Sequence, residues 1–242
     1  MTPFARVSRG RGQVAKVQRK VIKKGRRQSA STGMILLVIG GAVIVVAVII
    51  ALASGVFKPK TALANDPTGL SLCGNIPCPI KGDVNAPVTV IEISDYNCSH
   101  CRDFARDIEP KIEEAYIKTG KARYIVHSFG FGPDTQNVAA AALCAGDQGK
   151  FFEYHALLFK NQGAFDSNSL ASYAQQVGID AQAFATCVNS GKHLADVAAS
   201  SKAAAAAGVD STPSFFINNK LVVGALPFSE FQSRIEAALK SK

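Results

Sequence analysis

Seven consecutive residues, Val88 to Ser94 (Val-Thr-Val-Ile-Glu-Ile-Ser), are rich in β-branched side chains and nearly continuous in apolar character. Four positions later the chain reads Cys98-Ser99-His100-Cys101. A run of that length and composition is a strand covered on both faces, as at the centre of a parallel sheet. From the first cysteine the period changes: Cys101, Phe104, Ala105, Ile108, Ile112, Ala115 and Tyr116 mark one apolar helical face running to Gly120. Pro110 inside that stretch predicts a kink. Ala122 to Ser128 (Ala-Arg-Tyr-Ile-Val-His-Ser) reads as a second strand. Strand, helix and strand in that order imply a right-handed βαβ unit with parallel strands.

The cysteine spacing at the strand-to-helix junction carries chemistry. Two cysteines three apart on a helix lie on one face, close enough for an unstrained disulfide. Cys98 would occupy the helix start, where unsatisfied N–H groups and the macrodipole favour an anion, so it is the expected nucleophile. Cys101, one turn in and less exposed, would be the resolving thiol of a mixed disulfide. Under period-two alternation Glu92 shares a face with Val88 and Val90. That placement buries its carboxyl, which then holds its proton more tightly and can exchange it; a solvated, edge-facing glutamate is the alternative. Asn97-Cys98-Ser99 formally fits a glycosylation acceptor, but a glycan there would cover the dithiol.

After a loop at Phe129 to Gly132, the pattern from Asp134 to Lys202 is almost wholly helical. The expected helices are Gln136 to Gly146, Lys150 to Asn161, Ser167 to Val177, Ala181 to Asn189 and His193 to Ala207. Gly149, Gly178 and Gly191 supply breaks, and Asp166 and Asp180 supply caps. Ser214 to Asn218 and Lys220 to Val223 read as strands joined tightly at Asn218-Asn219, and Pro227 to Leu239 as a closing amphipathic helix. Thr212-Pro213 stands before this hairpin, where proline sits at a strand end or takes a special conformation.

The charge is distributed unevenly. Residues 1–32 hold ten Lys and Arg and no acid, leaving seventeen of the 27 basic side chains against 18 acidic ones in the remainder. This basic tail leads directly into the apolar run Met34 to Val56, long enough to cross a bilayer as a helix, so its charge reads as a positive-inside signal. A nucleic-acid role is set aside, because the tail has no interleaved aromatics and no binding module. Ala62-Leu63-Ala64 fits a cleavage signature, but the expectation is an uncleaved anchor. The implied layout is a basic cytoplasmic tail (1–33), a transmembrane anchor (34–57), an extracytoplasmic linker and lead-in (58–85), and then the globular segment. A mature chain beginning at Asn65 would contradict the anchor.

Outside the cytoplasm disulfides persist. Cys73 and Cys78, in a Gly- and Pro-rich lead-in, could close a small loop staple or form a second redox pair passing electrons to Cys98 and Cys101. Cys144 and Cys187 lie in two expected helices. A bridge between them would close a loop of about 44 residues and contribute about 4 kcal/mol; two free buried thiols are the alternative. A different class of protein is also compatible with the spacing, since Cys73, Cys78, Cys98 and Cys101 could ligate a structural zinc in a tethered interaction domain. His127, His155 and His193 have no motif partners and read as ordinary core or surface residues.

Glu92 six positions before Cys-x-His-Cys, together with Gly208-Val209-Asp210-Ser211-Thr212-Pro213-Ser214-Phe215-Phe216-Ile217-Asn218 leading into a terminal hairpin and helix, resembles the thioredoxin-fold, extracytoplasmic thiol-disulfide oxidases of the DsbA type. The resemblance covers about Pro79 to Leu239. It implies an α/β fold with a central mixed sheet: a thioredoxin-like first half over 86–132, a helical insertion with its return helix over 133–207, and a second half over 208–242. It implies that Cys98 exchanges, Cys101 resolves, Glu92 is a buried acid that moves protons, and His100 stabilises the reduced thiolate. Thr212-Pro213 would be a cis-proline turn facing the dithiol, with the backbone near Thr212 pairing with substrate. Ser99 replaces the proline common in that family, and Ser211 the usual glycine. The implied partners are reduced cysteine-containing proteins outside the cytoplasm and a membrane quinone-linked reoxidase of the DsbB or vitamin K epoxide reductase type. No metal or other cofactor is expected.

Overall fold

The computed structural model describes residues 69–241. The expected tail, the anchor and the cleavage signature lie outside the described residues. Among the described residues no helix is long and apolar enough to cross a membrane.

A five-stranded mixed sheet forms the centre, in the order β1-β3-β2-β4-β5. Its strands are β1 (Ile80–Lys81), β2 (Val88–Ser94), β3 (Ala122–Ser128), β4 (Ser214–Ile217) and β5 (Lys220–Val223). β2 and β3 pair in parallel from Val88 beside Ala122 to Ser94 beside Ser128, and the other pairings are antiparallel. All seven residues of β2 are buried, as its continuous apolar run requires of a strand covered on both faces. β1 was not legible in the lead-in loop: two residues at a sheet edge carry no periodicity.

The expected single helix from Cys98 to Gly120 is broken into α1 (Ser99–Asp107), α2 (Glu109–Ile112) and a wider turn over Glu113–Ile117. The break falls at Ile108, two residues before Pro110. Proline lacks an N–H and its ring collides with the carbonyl four residues back, so it is tolerated only in the first turn of a new helix. Phe104 on α1 packs on Phe215 of β4 at 4.5 Å and on Phe231 at 5.4 Å between ring centres. Such pairs contribute about 0.5–1.5 kcal/mol each beyond area burial. They clamp the dithiol helix between the sheet and α8 (Phe228–Lys240).

Between β3 and β4 the chain inserts α3 (Pro133–Gly146), α4 (Phe151–Lys160), α5 (Ser167–Gln176), α6 (Ala181–Ser190) and α7 (Leu194–Ala206). α3 is the inner helix, buried continuously from Val138 to Ala145; its alanines let neighbouring helices approach closely. It starts three residues earlier than its periodicity suggests, because Gly132 and Thr135 exchange hydrogen bonds and Pro133 fits a first turn. Asp166 caps α5 through the amides of Asn168 and Ser169, and Asp180 caps α6 through that of Ala183. At the β4–β5 turn Asn218 adopts φ 54°.

The sheet separates two cores. Val88, Val90, Tyr124 and Val126 face α1, with Cys101 and Phe104. Ile91, Ile93, Ile125 and Phe129 face the other way, with Leu72, Cys73 and Ala204.

Candidate active site

The strand-to-helix junction holds Cys98 as the N-cap of α1, in extended backbone geometry. Its thiol is half-buried and donates to the Thr212 carbonyl at 3.3 Å. Cys101, one turn on, is fully buried, and both thiols are unbridged. Burial pushes the Cys101 thiol well above its usual range, and the Cys98 sulfur beside it adds to the effect. The loop before Cys98 is held from several directions. Asp95 accepts from the Asn97 amide at 2.8 Å and, through its other oxygen, from the Phe131 amide at 2.9 Å. The Gln162 side-chain amide donates to the carbonyls of Tyr96 and Cys98 at 2.8 and 2.9 Å. Helix α4 and the turn after it therefore fix the sulfur's position from more than sixty residues away.

Thr212-Pro213 is a cis peptide bond opposite Cys98, with Pro213 buried. Asp95, Asn97, Cys98, Phe131, Asp134 and Thr212 line a groove over the sulfur, and Phe131 exposes 61% of its surface there. His100 is exposed on the first turn of α1. Its side chain makes no hydrogen bond or ion pair with another described residue.

Glu92 is fully buried on the α1 side of β2, so the edge-facing alternative does not apply. Tyr124 donates to its Oε2 at 2.6 Å, while its Oε1 has no partner among the described residues. Desolvation, reinforced by the neighbouring Glu109, pushes the Glu92 carboxyl up to about 8. Against it lies His155, whose Nε2 is 3.8 Å from Oε2 and whose Nδ1 meets the Tyr96 hydroxyl at 2.8 Å. Burial lowers His155 to about 3. The contact therefore joins two neutral groups near pH 7 and is not an ion pair. Glu109 in turn meets Lys81, which also binds Glu113, at 3.4 and 2.8 Å. Burial works against the Lys81 charge, but the two carboxylates more than offset it. This chain of groups runs from beneath the dithiol to the edge strand. Glu109, His155, Tyr96, Tyr124, Gln162 and Asp95 carry no local sequence signal, since each reaches the site through the tertiary fold.

The remaining cysteines form two bridges, Cys73–Cys78 and Cys144–Cys187. A zinc site built from Cys73, Cys78, Cys98 and Cys101 is not formed. The first two are bonded to each other, and Cys73 packs on the opposite side of the sheet from Cys101. That separation also removes direct electron transfer from Cys73 and Cys78 to the dithiol. Donor atoms of Glu92, Glu109 and His155 approach within 4.8 Å of one another, with Glu92 and His155 buried and Glu109 half-buried, but they surround a carboxyl that holds its proton.

Comparison with known proteins places this geometry. The family model described as Thioredoxin matches residues 75–237. The chain is 30% identical over 168 residues to the Na(+)/H(+) antiporter NhaA 1 of Salinispora arenicola, a match covering 66% of this chain and 24% of that protein. It is 25% identical over 182 residues to disulfide bond formation protein D of Bacillus subtilis, covering 68% of this chain and 78% of the relative. Among solved structures, a thioredoxin-like oxidoreductase from Silicibacter pomeroyi superposes with a TM-score of 0.61 at 27% identity, over 70% of this chain and 97% of its own.

Proposed function

The chain belongs to the thioredoxin family, and on that premise we propose that it is an extracytoplasmic protein thiol-disulfide oxidoreductase acting as an oxidase. The observation that carries this reading is the asymmetry of the dithiol: one half-buried sulfur at a helix start, opposite a backbone carbonyl, with a fully buried partner behind it. A substrate thiolate attacks Cys98 of the oxidised pair; the Cys98–Cys101 bond breaks and its electrons leave with Cys101. Cys101 takes a proton, for which Glu92 is the nearby store. A second substrate thiolate then attacks the substrate sulfur on Cys98, so the substrate departs as a disulfide and the pair is left as two thiols. The Thr212 backbone aligns the substrate chain, Pro213 shapes the opposing wall, and His100, exposed on the first turn of α1, stabilises the reduced Cys98 thiolate.

The oxidising direction is supported by the name of the Bacillus relative, a disulfide bond formation protein, and by the Cys98–Thr212 hydrogen bond, which only the reduced form can make. With the basic residues 1–33 read as a cytoplasmic tail and the apolar run within 34–57 as a membrane anchor, the proposed substrates are reduced cysteine-containing proteins outside the cytoplasm. A membrane quinone-linked enzyme of the DsbB or vitamin K epoxide reductase type restores the disulfide. The test is equilibration of Cys98–Cys101 in the purified full chain against glutathione, with oxidation of a reduced, unfolded protein as the activity. A potential well above the roughly −270 mV of thioredoxin and stoichiometric oxidation are expected. A value near thioredoxin's would replace oxidase by reductase.

A further inference from the structure

The Cys73–Cys78 bridge has an environment that a staple does not need. The antiparallel pairing of Ile80 with Ile125 brings Cys78, two residues before β1, opposite His127, two residues past Ile125 on β3. Cys78 Sγ lies 3.5 Å from His127 Nδ1. The other ring nitrogen, Nε2, is 3.0 Å from the Ser200 carbonyl on α7. A carbonyl only accepts, so Nε2 carries the ring proton and Nδ1 presents its lone pair to the sulfur. In the disulfide that lone pair has no donor to meet, inside a histidine that is fully buried. Reduction supplies the donor, since a Cys78 thiol can hydrogen-bond to it. Burial lowers His127 to about 4, so the ring is a neutral acceptor at neutral pH.

The Cys144–Cys187 bridge provides an internal contrast. It too has a histidine close by, within 4.8 Å. Both nitrogens of His193 are already engaged, Nδ1 with Asp196 at 2.8 Å and Nε2 with Asp147 at 2.9 Å. The acceptor nearest a sulfur of that bridge is Asp147 Oδ2, 3.5 Å from Cys187 Sγ, and it already accepts from Lys192 and His193 at 2.8 and 2.9 Å, so a Cys187 thiol would gain only a shared acceptor. Access is asymmetric in both bridges: Cys78 is half-buried and lines a surface cleft with Pro77, Pro79 and Ile80 whereas Cys73 is buried, and Cys187 is half-buried over a cleft of its own whereas Cys144 is buried.

We propose that Cys73–Cys78 is a second thiol-disulfide exchange centre, in which Cys78 is the sulfur that exchanges with external thiols and His127 accepts the hydrogen of its reduced form. An incoming thiolate bonds to Cys78 Sγ, the Sγ–Sγ bond breaks, and its electron pair leaves with Cys73, which takes a proton. A second thiol of the donor releases the donor as a disulfide and leaves Cys78 as a thiol hydrogen-bonded to His127. Two electrons and two protons have moved from the donor dithiol, or from two small thiols, to the pair. The centre faces away from Cys98 and Cys101 across the sheet and serves its own partner.

The experiment uses the full chain with Cys98→Ser and Cys101→Ser, which retains only the two bridges in question. The protein is equilibrated in glutathione buffers of graded ratio and then in dithiothreitol, quenched with acid and alkylated. Each bridge is read by peptide mass. Cys73–Cys78 is expected to open in glutathione at ratios where Cys144–Cys187 stays closed, with glutathione trapped on Cys78. His127→Phe is expected to shift the first midpoint about tenfold toward the disulfide, about 30 mV, and to leave the second unmoved. The proposal is overturned if the two bridges open together, if glutathione is trapped on Cys73, or if His127→Phe folds and shifts neither midpoint. Tight zinc capture by the reduced pair that blocks its reoxidation would also overturn it, in favour of a Cys₂His metal site. The comparison of the two bridges needs no variant at His127, so a failure of that variant to fold leaves the test intact.

Discussion

Glu92→Gln keeps the shape of the buried acid and removes its titration. The Gln carbonyl can accept from Tyr124 as Oε2 does now, and the amide resembles the protonated carboxyl, so the substitution mimics the form in which the proton stays bound. The carboxyl moves from an ordinary value of 4.5 in the unfolded chain to about 8 in the folded one. Below pH 4.5 both states hold the proton and the group has no effect on stability. Between pH 4.5 and 8 the folded protein keeps a proton that the unfolded chain has released, so stability falls by about 1.4 kcal/mol per pH unit. The cost is about 3 kcal/mol at pH 7 and approaches about 5 kcal/mol above pH 8. Glu92→Gln is therefore expected to match the wild type near pH 4 and to exceed it progressively as pH rises.

The assay is urea unfolding of both proteins at pH 4, 5.5, 7 and 8.5, read as the difference between them. The subtraction cancels His127 and His155, whose depressed values make the folded state lose stability as pH falls from about 6.5. Oxidation of a reduced substrate, measured in parallel, should slow for the variant at the step where Cys101 takes its proton. A stability difference that is the same at every pH would refute the buried, protonated Glu92, whatever happened to activity.

Cys101→Ser leaves Cys98 as a thiolate that can attack a disulfide-bonded substrate, breaking that bond and releasing one substrate thiol, and Cys101 is no longer there to displace the sulfur that stays on Cys98, so the variant should accumulate covalent complexes with oxidised substrate on non-reducing gels; Cys98→Ser should accumulate none. Replacing both Cys144 and Cys187 by alanine opens a bridge spanning 43 positions and is expected to cost about 4 kcal/mol on the chain-entropy model, measured as a lower urea midpoint with a steeper slope, because the unlinked unfolded chain exposes more surface. Asn218→Ala puts at φ 54° a residue that tolerates the left-handed region less well than asparagine and removes the oxygen that accepts from the Thr89 amide at 2.9 Å. It should cost about 1–3 kcal/mol, and Asn218→Gly should recover the backbone part of that loss.

Local pattern made four of the five strands legible, because each is long or apolar enough to show its period. β1 was not, and without β1 nothing in the sequence sets Cys78 beside His127. The helix after the dithiol was legible as a helix, yet its break at Ile108 depends on where the chain can restart around Pro110. The site divided along the same line. Cys98, Cys101, Thr212 and Pro213 sit in short motifs whose spacing carries their chemistry, and Glu92 follows from strand alternation. His155 and Glu109 come from helices whose apolar faces give no reason to single out one polar residue, and Gln162 from the turn that follows α4. Their importance lies in where α2 and α4 deliver them, which is a property of packing.

Alternation along two adjacent strands accounts for the division of the redox chemistry. On β2 and β3, Glu92 and Tyr124 point toward Cys101, whereas Ile93, Ile125 and His127 point toward Cys73. Each cysteine pair thus has one buried and one half-buried sulfur and its own titratable neighbour, and the two share no side chain. A one-residue slip of β3 would exchange the faces, presenting His127 to the dithiol and stranding Tyr124 beside the second bridge. The buried parallel register of all seven β2–β3 pairs prevents that. Because the sheet itself stands between the pairs, electrons entering one cannot reach the other by direct exchange. Coupling between them requires a diffusing thiol, and its rate would depend on thiol concentration.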